Sequence, residues 1–258
     1  MSLSSLLSWA LFPLYAVEGI RTRLKTPRLR PGTGPYEGRF EGAGAPLRLL
    51  VLGDSSVAGV GIGTLENGLS YQLAQSLARQ TGRAVEWRAA GFNSATANQL
   101  CDVVVPHLPA TDYTHIYVSV GFNDLKNFHS GTKWKKGFGE LIYALKAKYP
   151  GAKIFWSCLM SPHGVPALTP GLAYVLGLRR PMINKIGRTL CEERGGQWVS
   201  SMPGIGRVHF CEDGVHASER GNKDWADHVV EEALAPSVLR LEDQNEVHHE
   251  QHKMNRAL

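Results

Sequence analysis

The sequence predicts an α/β fold in which helices cover both faces of a parallel sheet. Five short, strand-like apolar runs occur after residue 46, and most are nearly continuous, as is typical of strands buried on both faces. Segments with helical periodicity separate these runs, and such alternation favours parallel strands joined by right-handed crossovers. The length of 258 residues suits one such domain with appendages, or at most two small domains.

The predicted elements follow one another in a regular order. The strands are expected at residues 49–52, 85–89, 116–120, 154–158 and, more weakly, 198–200. Leucines at positions 69, 73 and 77 predict a helix, and Gly82 supplies its stop signal. Apolar positions between Trp134 and Leu145 share a second helical face, which ends before Pro150. A third helix is expected within residues 172–193, with Pro181 as a candidate break, and a last one after His216.

The first 46 residues lie outside this pattern. Residues 1–30 are predicted to form an apolar helix with a basic arm, and the Gly- and Pro-rich residues 31–46 a linker. As a helix, residues 3–20 would reach about 27 Å, barely enough to span a bilayer. A secretory signal fits poorly, because no basic residue precedes the apolar stretch and no clear cleavage site follows it. Two expectations therefore stand side by side: association of residues 3–30 with a membrane, and docking of this helix on the protein's own surface.

The charge distribution bears on partners and location. The net charge is +5, and residues 21–30 alone hold five basic and no acidic residues, so the rest of the chain is neutral. A short basic arm is not the footprint of a nucleic-acid-binding face, so no nucleic-acid partner is expected. The arm suits anionic headgroups. Because it follows the apolar segment, a span would keep the main domain, residues 47–240, on the cytoplasmic side. A periplasmic or a soluble cytoplasmic location is the alternative.

Several kinds of site are not indicated. The four cysteines show no C-x-x-C spacing, and no zinc motif occurs, so neither a metal nor another cofactor is expected. The glycine-rich stretch 59–63 lacks the spacing of nucleotide-binding loops, which weakens a nucleotide-binding interpretation. The polar tail, residues 241–258, is predicted to be disordered. Nothing in the sequence indicates an oligomeric state.

Four short motifs carry the candidate chemistry. In chain order they are G-D-S-S at 53–56, A-G-F-N at 90–93, G-F-N-D at 121–124 and D-G-V-H at 213–216. Ser55, Gly91 and Asn123 each follow a predicted strand directly, and the carboxyl ends of parallel strands share one edge of a sheet. The fourth motif follows the last strand and can reach the same edge. We therefore expect all four to meet in one crevice.

Each motif has a chemical interpretation and a plainer alternative. Ser55 is the candidate nucleophile, and its backbone N–H is a candidate oxyanion donor. The plainer alternative is that this motif caps a helix. Ser56 is a second, weaker candidate for the nucleophile. Gly91 and Asn123 are read as further oxyanion donors, or else as turn residues. Asp213 can accept a hydrogen bond from His216 three residues later, leaving Nε2 as the base for Ser55. Alone, such a pair would be read as a surface hydrogen bond.

As a set, these motifs resemble those of the SGNH hydrolases, also called the GDSL lipase/esterase family. The matching residues are Ser55, Gly91, Asn123 and His216, with Asp213 as the triad acid, and the resemblance covers about residues 47–235. Ser56 stands where the GDSL name has leucine. The resemblance implies a three-layer α/β/α, flavodoxin-like fold with five parallel strands in the order 2-1-3-4-5. It also implies metal-independent hydrolysis of esters or thioesters.

The predicted function is that of a serine esterase acting on small-molecule or lipid-derived esters with short-to-medium acyl groups. The loop after the fourth strand is expected to form an apolar wall with Val165, Leu168 and Leu172, and Asp54 is counted among the substrate-binding residues. Two alternatives remain open at this point: a carbohydrate O-deacetylase of the same fold, and a membrane-tethered binding protein without turnover.

Overall fold

The computed structural model describes residues 3–239, and its centre is a six-stranded sheet. The strands are β1 (Glu37–Phe40), β2 (Ala43–Gly53), β3 (Arg83–Gly91), β4 (His115–Ser119), β5 (Lys153–Ser157) and β6 (Gln197–Val199). They lie in the order β1-β3-β2-β4-β5-β6, with β1 antiparallel to β3 and the other neighbours parallel. The five parallel strands thus have the predicted order 2-1-3-4-5, and β1 extends the sheet at one edge.

Helices cover both faces of this sheet. They are α1 (Leu3–Ala10), α2 (Phe12–Lys25), α3 (Leu69–Thr81), α4 (Ala97–Gln99), α5 (Phe122–Lys126), α6 (Gly131–Lys148), α7 (Pro170–Glu193) and α8 (Glu219–Val229). One buried apolar cluster joins the sheet to α6 and α7, and a second joins its other face to α3 and α8. The predicted three-layer α/β/α fold is therefore confirmed.

Local signals explain where the helices begin and end. Gly82 ends α3 in a left-handed conformation, with φ +66°. The side chains of Ser130 and Thr169 accept hydrogen bonds from the first turns of α6 and α7. The candidate break at Pro181 is wrong, because α7 continues through that residue. Its packing on the sheet and on α6 holds the helix together across one missing backbone hydrogen bond.

The expectation of a linker at residues 31–46 also needs correction. Residues 37–40 form β1, and β2 begins at Ala43. Contacts with β3 and α3 stabilise this short edge strand: Arg39 forms an ion pair with Glu86 of β3, and the Phe40 ring meets Tyr71 of α3 edge-on. The glycine-rich composition of this segment predicted a loop, because the strand depends on a partner far along the chain.

The N-terminal segment differs from a single helix over residues 3–20. It forms α1 and α2, which meet at an angle of 62° near Leu11, and α2 continues to Lys25. Pro13 lies in the first turn of α2, where its missing N–H costs nothing. Within residues 3–239, no single helix is long and apolar enough to cross a bilayer; only this bent pair meets that test jointly. Both helices pack against α7, and the predicted tail at 241–258 lies outside the described residues.

Candidate active site

Three of the four motifs meet where β2 ends. Gly53 is paired with Gly91 of β3 on one side and with Ser119 of β4 on the other. Asp54 and Ser55 follow Gly53 directly, and Asn123 lies in α5, just after β4. Gly91 approaches β2 so closely that an added Cβ would lie 1.9 Å from the Gly53 carbonyl oxygen, and its φ of +156° is also unfavourable for other residues. The close approach explains why glycine is needed here.

Asp54 connects the first motif to the third. Its Oδ1 accepts hydrogen bonds from the Ser56 backbone N–H and hydroxyl, both at 3.1 Å, and its Oδ2 accepts one from Asn123 Nδ2 at 3.0 Å. Burial raises the pKa of this carboxyl, while the bonds from Ser56 and the charges of His216 and Lys126 lower it in part. The observed partners make Asp54 a positioning group for Asn123, and its contact with substrate stays a prediction.

The amide of Asn123 is buried and held from two sides. Its Nδ2 donates to Asp54 Oδ2 and, at 3.1 Å, to the Ala95 carbonyl oxygen. A primary amide has two N–H groups. Both of them therefore have acceptors inside the protein, which the sequence did not indicate, and donation to a substrate oxygen requires one of these bonds to be shared or exchanged.

Asp213 and His216 form a tight pair in a turn. Asp213 Oδ2 lies 2.6 Å from His216 Nδ1, while Oδ1 accepts from the backbone N–H groups of Val215 at 2.9 Å and of His216 at 3.1 Å. The Asp213 side chain is 1% exposed and that of His216 is 20% exposed. Within residues 3–239 the His216 Nε2 has no hydrogen-bond partner. The pair thus presents an oriented imidazole with Nε2 available for proton transfer.

Electrostatics connect this pair to the first motif. The charge of His216 lowers the pKa of Asp54, the residue that precedes Ser55. Ser55 itself is half-buried, and its carbonyl oxygen accepts a hydrogen bond from Val60 N at 3.0 Å. The turn is therefore held by the backbone, while its serine is still accessible.

A cleft of about 400 Å³ opens beside Asp213, and α2 forms one of its walls. Glu18, Arg21 and Lys25 line this wall, and Ala167 and Thr169 lie among the residues opposite. Sequence reasoning missed this contribution, because nothing in the local pattern of α2 relates it to a loop about 150 residues later. The loop itself touches the fourth motif: Ala167 N donates to the Gly214 carbonyl oxygen at 3.1 Å.

The residues predicted to form an acyl wall lie in and after this loop. Val165 and Leu172 are almost completely buried, and Leu168 is half-buried against the cluster that contains Leu172. Leu172 belongs to the first turn of α7. Much of their apolar surface is thus already covered by the protein, and contact with an acyl chain stays a prediction.

An α/β/α sheet with three of these motifs at one edge, together with the Asp213–His216 pair, is typical of a class of ester hydrolases, and the comparisons agree. The chain belongs to the GDSL-like lipase/acylhydrolase family, whose family model matches residues 51–223. No curated protein matches the chain significantly. The protein is therefore a carboxylic ester hydrolase, and the alternatives of a nucleotide-binding domain and of a binding protein without turnover are set aside.

Solved structures with this fold include several esterases. TesA is 20% identical, with a TM-score of 0.57 over 70% of this chain and 95% of that one. A family 3 carbohydrate esterase from Clostridium thermocellum is 17% identical, with a TM-score of 0.60 over 76% and 98%. Phospholipase A1 from Streptomyces albidoflavus NA297 is 14% identical, with a TM-score of 0.53 over 72% and 99%. At these identities the likeness establishes the fold and leaves the substrate open.

Proposed function

We propose that the protein hydrolyses carboxylic esters through an acyl-enzyme on Ser55, with His216 as general base and Asp213 as the acid of the triad. His216 Nε2 accepts the hydroxyl proton as Ser55 Oγ attacks the ester carbonyl. The tetrahedral intermediate then collapses, and the imidazolium returns the proton to the departing alkoxide, which leaves as an alcohol. Water attacks the acyl-enzyme with the same base assistance and releases the carboxylic acid and the free serine.

The observation that carries this proposal is the Asp213–His216 pair. A distance of 2.6 Å at Nδ1, with Asp213 buried and held by two backbone N–H groups, is a costly arrangement for an ordinary surface contact. A buried carboxylate at Nδ1 selects the tautomer in which Nε2 accepts a proton, and it stabilises the imidazolium that forms.

The proposed oxyanion hole consists of the backbone N–H groups of Ser55 and Gly91 and the side-chain amide of Asn123. For the amide to take part, its bond to the neutral Ala95 carbonyl is the one to exchange, because the bond to the Asp54 carboxylate is charge-assisted and stronger. A developing oxyanion is in turn a better acceptor than a carbonyl oxygen. Asp54 thus keeps the amide oriented throughout the reaction.

For the substrate we propose a short-to-medium acyl ester of lipid origin, with the acyl chain directed toward Val165, Leu168 and Leu172. A carbohydrate O-deacetylase is the second candidate, since carbohydrate esterases occur beside a phospholipase A1 among the solved structures with this fold. A chain-length series of chromogenic esters separates the two. Activity confined to acetyl groups on sugars would contradict the lipid assignment.

Ser55→Ala with Ser56→Ala as its matched control tests the nucleophile. Both serines lie in one turn, and removal of the Ser56 hydroxyl costs hydrogen bonds to Asp54 and Ser119. We expect Ser55→Ala to abolish both ester hydrolysis and covalent labelling by a serine-reactive phosphonate, whereas Ser56→Ala keeps labelling at Ser55. Persistence of both signals in Ser55→Ala would show that another residue is the nucleophile.

A further inference from the structure

The helix pair α1–α2 is clamped to the hydrolase domain rather than attached loosely. Arg179 of α7 is 2% exposed; it donates to Ser8 Oγ at 3.2 Å and to the His129 carbonyl oxygen at 2.7 Å. Its guanidinium also lies 3.8 Å from the centre of the Phe128 ring and 5.4 Å from that of Trp9. One buried cation thus joins α1 to the domain.

Two polar contacts hold α2 in the same way. The Tyr15 hydroxyl donates to the Lys126 carbonyl oxygen, and the Glu18 carboxylate accepts from Thr169 Oγ1. Thr169 caps the N-terminus of α7, where a negative charge is favourable. Tyr15, Glu18 and Thr22, at helical spacing, form the half-buried face of α2.

The opposite face of the pair is apolar and uncovered. Within residues 3–239, nine of the sixteen large apolar side chains that are exposed belong to α1 and α2. They are Leu3, Leu6, Leu7, Trp9, Phe12, Leu14, Val17, Ile20 and Leu24, of which Trp9 and Phe12 also pack against Phe128 of the domain. On α2, three of them recur at i, i+3 and i+7, opposite the docked face. Such a concentration of exposed apolar side chains indicates an interaction site.

Basic residues flank this apolar face. On a helical wheel Arg21 and Lys25 lie on the side of the apolar stripe next to the cleft, and Arg23 lies on the other side. Arg28 and Arg30 follow, and residues 21–30 contain no acidic side chain. An apolar stripe bordered by cations matches an anionic bilayer surface, where acyl chains and phosphate groups lie side by side.

The polar contacts between the helix pair and the domain determine how the pair can lie relative to a bilayer. A helix pair that crossed a bilayer would have to release Arg179 from Ser8 and Glu18 from Thr169, and so would lose the hydrogen bonds that join both helices to the domain. Lying in the interface, the same pair keeps every clamp and buries only its outer face. Because the other side of α2 forms a wall of the cleft beside Asp213, the cleft would then open next to the lipid surface.

We propose that α1–α2 is a membrane-docking surface for anionic bilayers, and that the enzyme takes its ester substrate from the bilayer on which it lies. The docking surface is inferred from the geometry of the helices alone, whereas the substrate class rests on the function proposed above. The same element thus binds the lipid surface and lines the cleft beside Asp213.

Vesicle flotation with the full chain tests the docking surface. Vesicles of phosphatidylcholine with about 30% phosphatidylglycerol provide the anionic surface, and pure phosphatidylcholine is the comparison. Ile20 and Leu24 are 62% and 81% exposed, so the double variant Ile20→Ser/Leu24→Ser should fold normally. We expect it to lower partitioning about 100-fold, since each side chain contributes about tenfold or more when buried.

Tyr143→Ser/Val208→Ser is the matched control, because these side chains are 69% and 65% exposed on other elements. It should partition like the wild type, and wild-type binding should weaken in high salt and on pure phosphatidylcholine. Equal binding by the two double variants would overturn the proposal. So would an apolar face covered by a second copy of the chain, seen as a dimer without vesicles that Ile20→Ser/Leu24→Ser dissociates.

Two activity assays keep the two proposals apart. Ile20→Ser/Leu24→Ser should hydrolyse a water-soluble short-chain chromogenic ester at the wild-type rate, but lose about 100-fold on an ester embedded in anionic vesicles. If wild type binds vesicles and hydrolyses neither ester, the proposed function fails while the docking surface stands. If the soluble ester is hydrolysed and vesicle binding is absent, the docking proposal alone fails.

Discussion

The substitution Asp213→Asn examines the chemistry with the least change in shape. The asparagine carbonyl can replace Oδ1, which accepts from two backbone N–H groups, so the turn should keep its conformation. The amide nitrogen would then face His216 Nδ1, at the position where Oδ2 now lies at 2.6 Å. A donor facing Nδ1 forces that atom to accept, and the ring proton moves to Nε2. The imidazole would be held in the tautomer that cannot take the proton of Ser55.

The expected loss in kcat/KM is about 10⁴-fold near neutral pH, as found when the aspartate of a serine protease triad is changed in the same way. This corresponds to about 5 kcal/mol of transition-state stabilisation. The assay is hydrolysis of a soluble chromogenic ester between about pH 5 and pH 9, with thermal unfolding as the control for folding. A loss smaller than tenfold in a variant that unfolds like the wild type would refute the assigned role of Asp213.

Three further predictions concern the site, the core and the N-terminal helices. Gly91→Ala should destabilise the protein by about 3 kcal/mol or more in thermal unfolding and abolish activity, because its Cβ would overlap the Gly53 carbonyl. Gly82→Ala, at a left-handed glycine with open space around it, should cost only about 1 kcal/mol, and equal losses would contradict the steric argument. Burial lowers the pKa of His115 from 6.5 to about 4. The contribution of the neutral imidazole to the free energy of unfolding is therefore complete above pH 6.5 and is lost as the pH falls toward 4. His115→Gln should remove about 3 kcal/mol of that acid dependence in urea unfolding, and an unchanged pH profile would show that His115 is not its source. Arg179→Met should expose residues 3–30 to limited proteolysis, whereas Arg188→Met, which changes a cation stacked on the half-exposed Trp198, should not; equal cleavage would contradict the clamp.

The positions of the strands and of the candidate motifs show how far local pattern can lead. Strands β2, β4 and β5 contain nearly continuous apolar runs, and Gly82 ends α3 as its position in the pattern predicts. The placement of Ser55, Gly91 and Asn123 directly after strands was enough to bring their backbones to one edge. These features depend on neighbours within a few residues, and a sequence displays such neighbours directly.

Other features arise only when distant segments meet. β1 is a strand because β3 lies beside it, although its own composition is that of a loop. α7 keeps its helical course through Pro181 because packing on α6 and the sheet outweighs one lost hydrogen bond. The amide of Asn123 is held by Asp54, 69 positions earlier in the chain.

The sequence by itself determined the alternation of strands and helices and the order of the four candidate motifs along it, because hydrophobic periodicity and the residues at strand ends are local properties. The order of the parallel strands was implied by the family resemblance of those motifs. Only the tertiary structure decided that α2 forms a wall of the cleft and that its outer face is left apolar and open. Glu18 meets Thr169 across 151 positions, and Arg179 meets Ser8 across 171. Contacts over such separations depend on how the whole chain packs, and no short stretch of sequence records them.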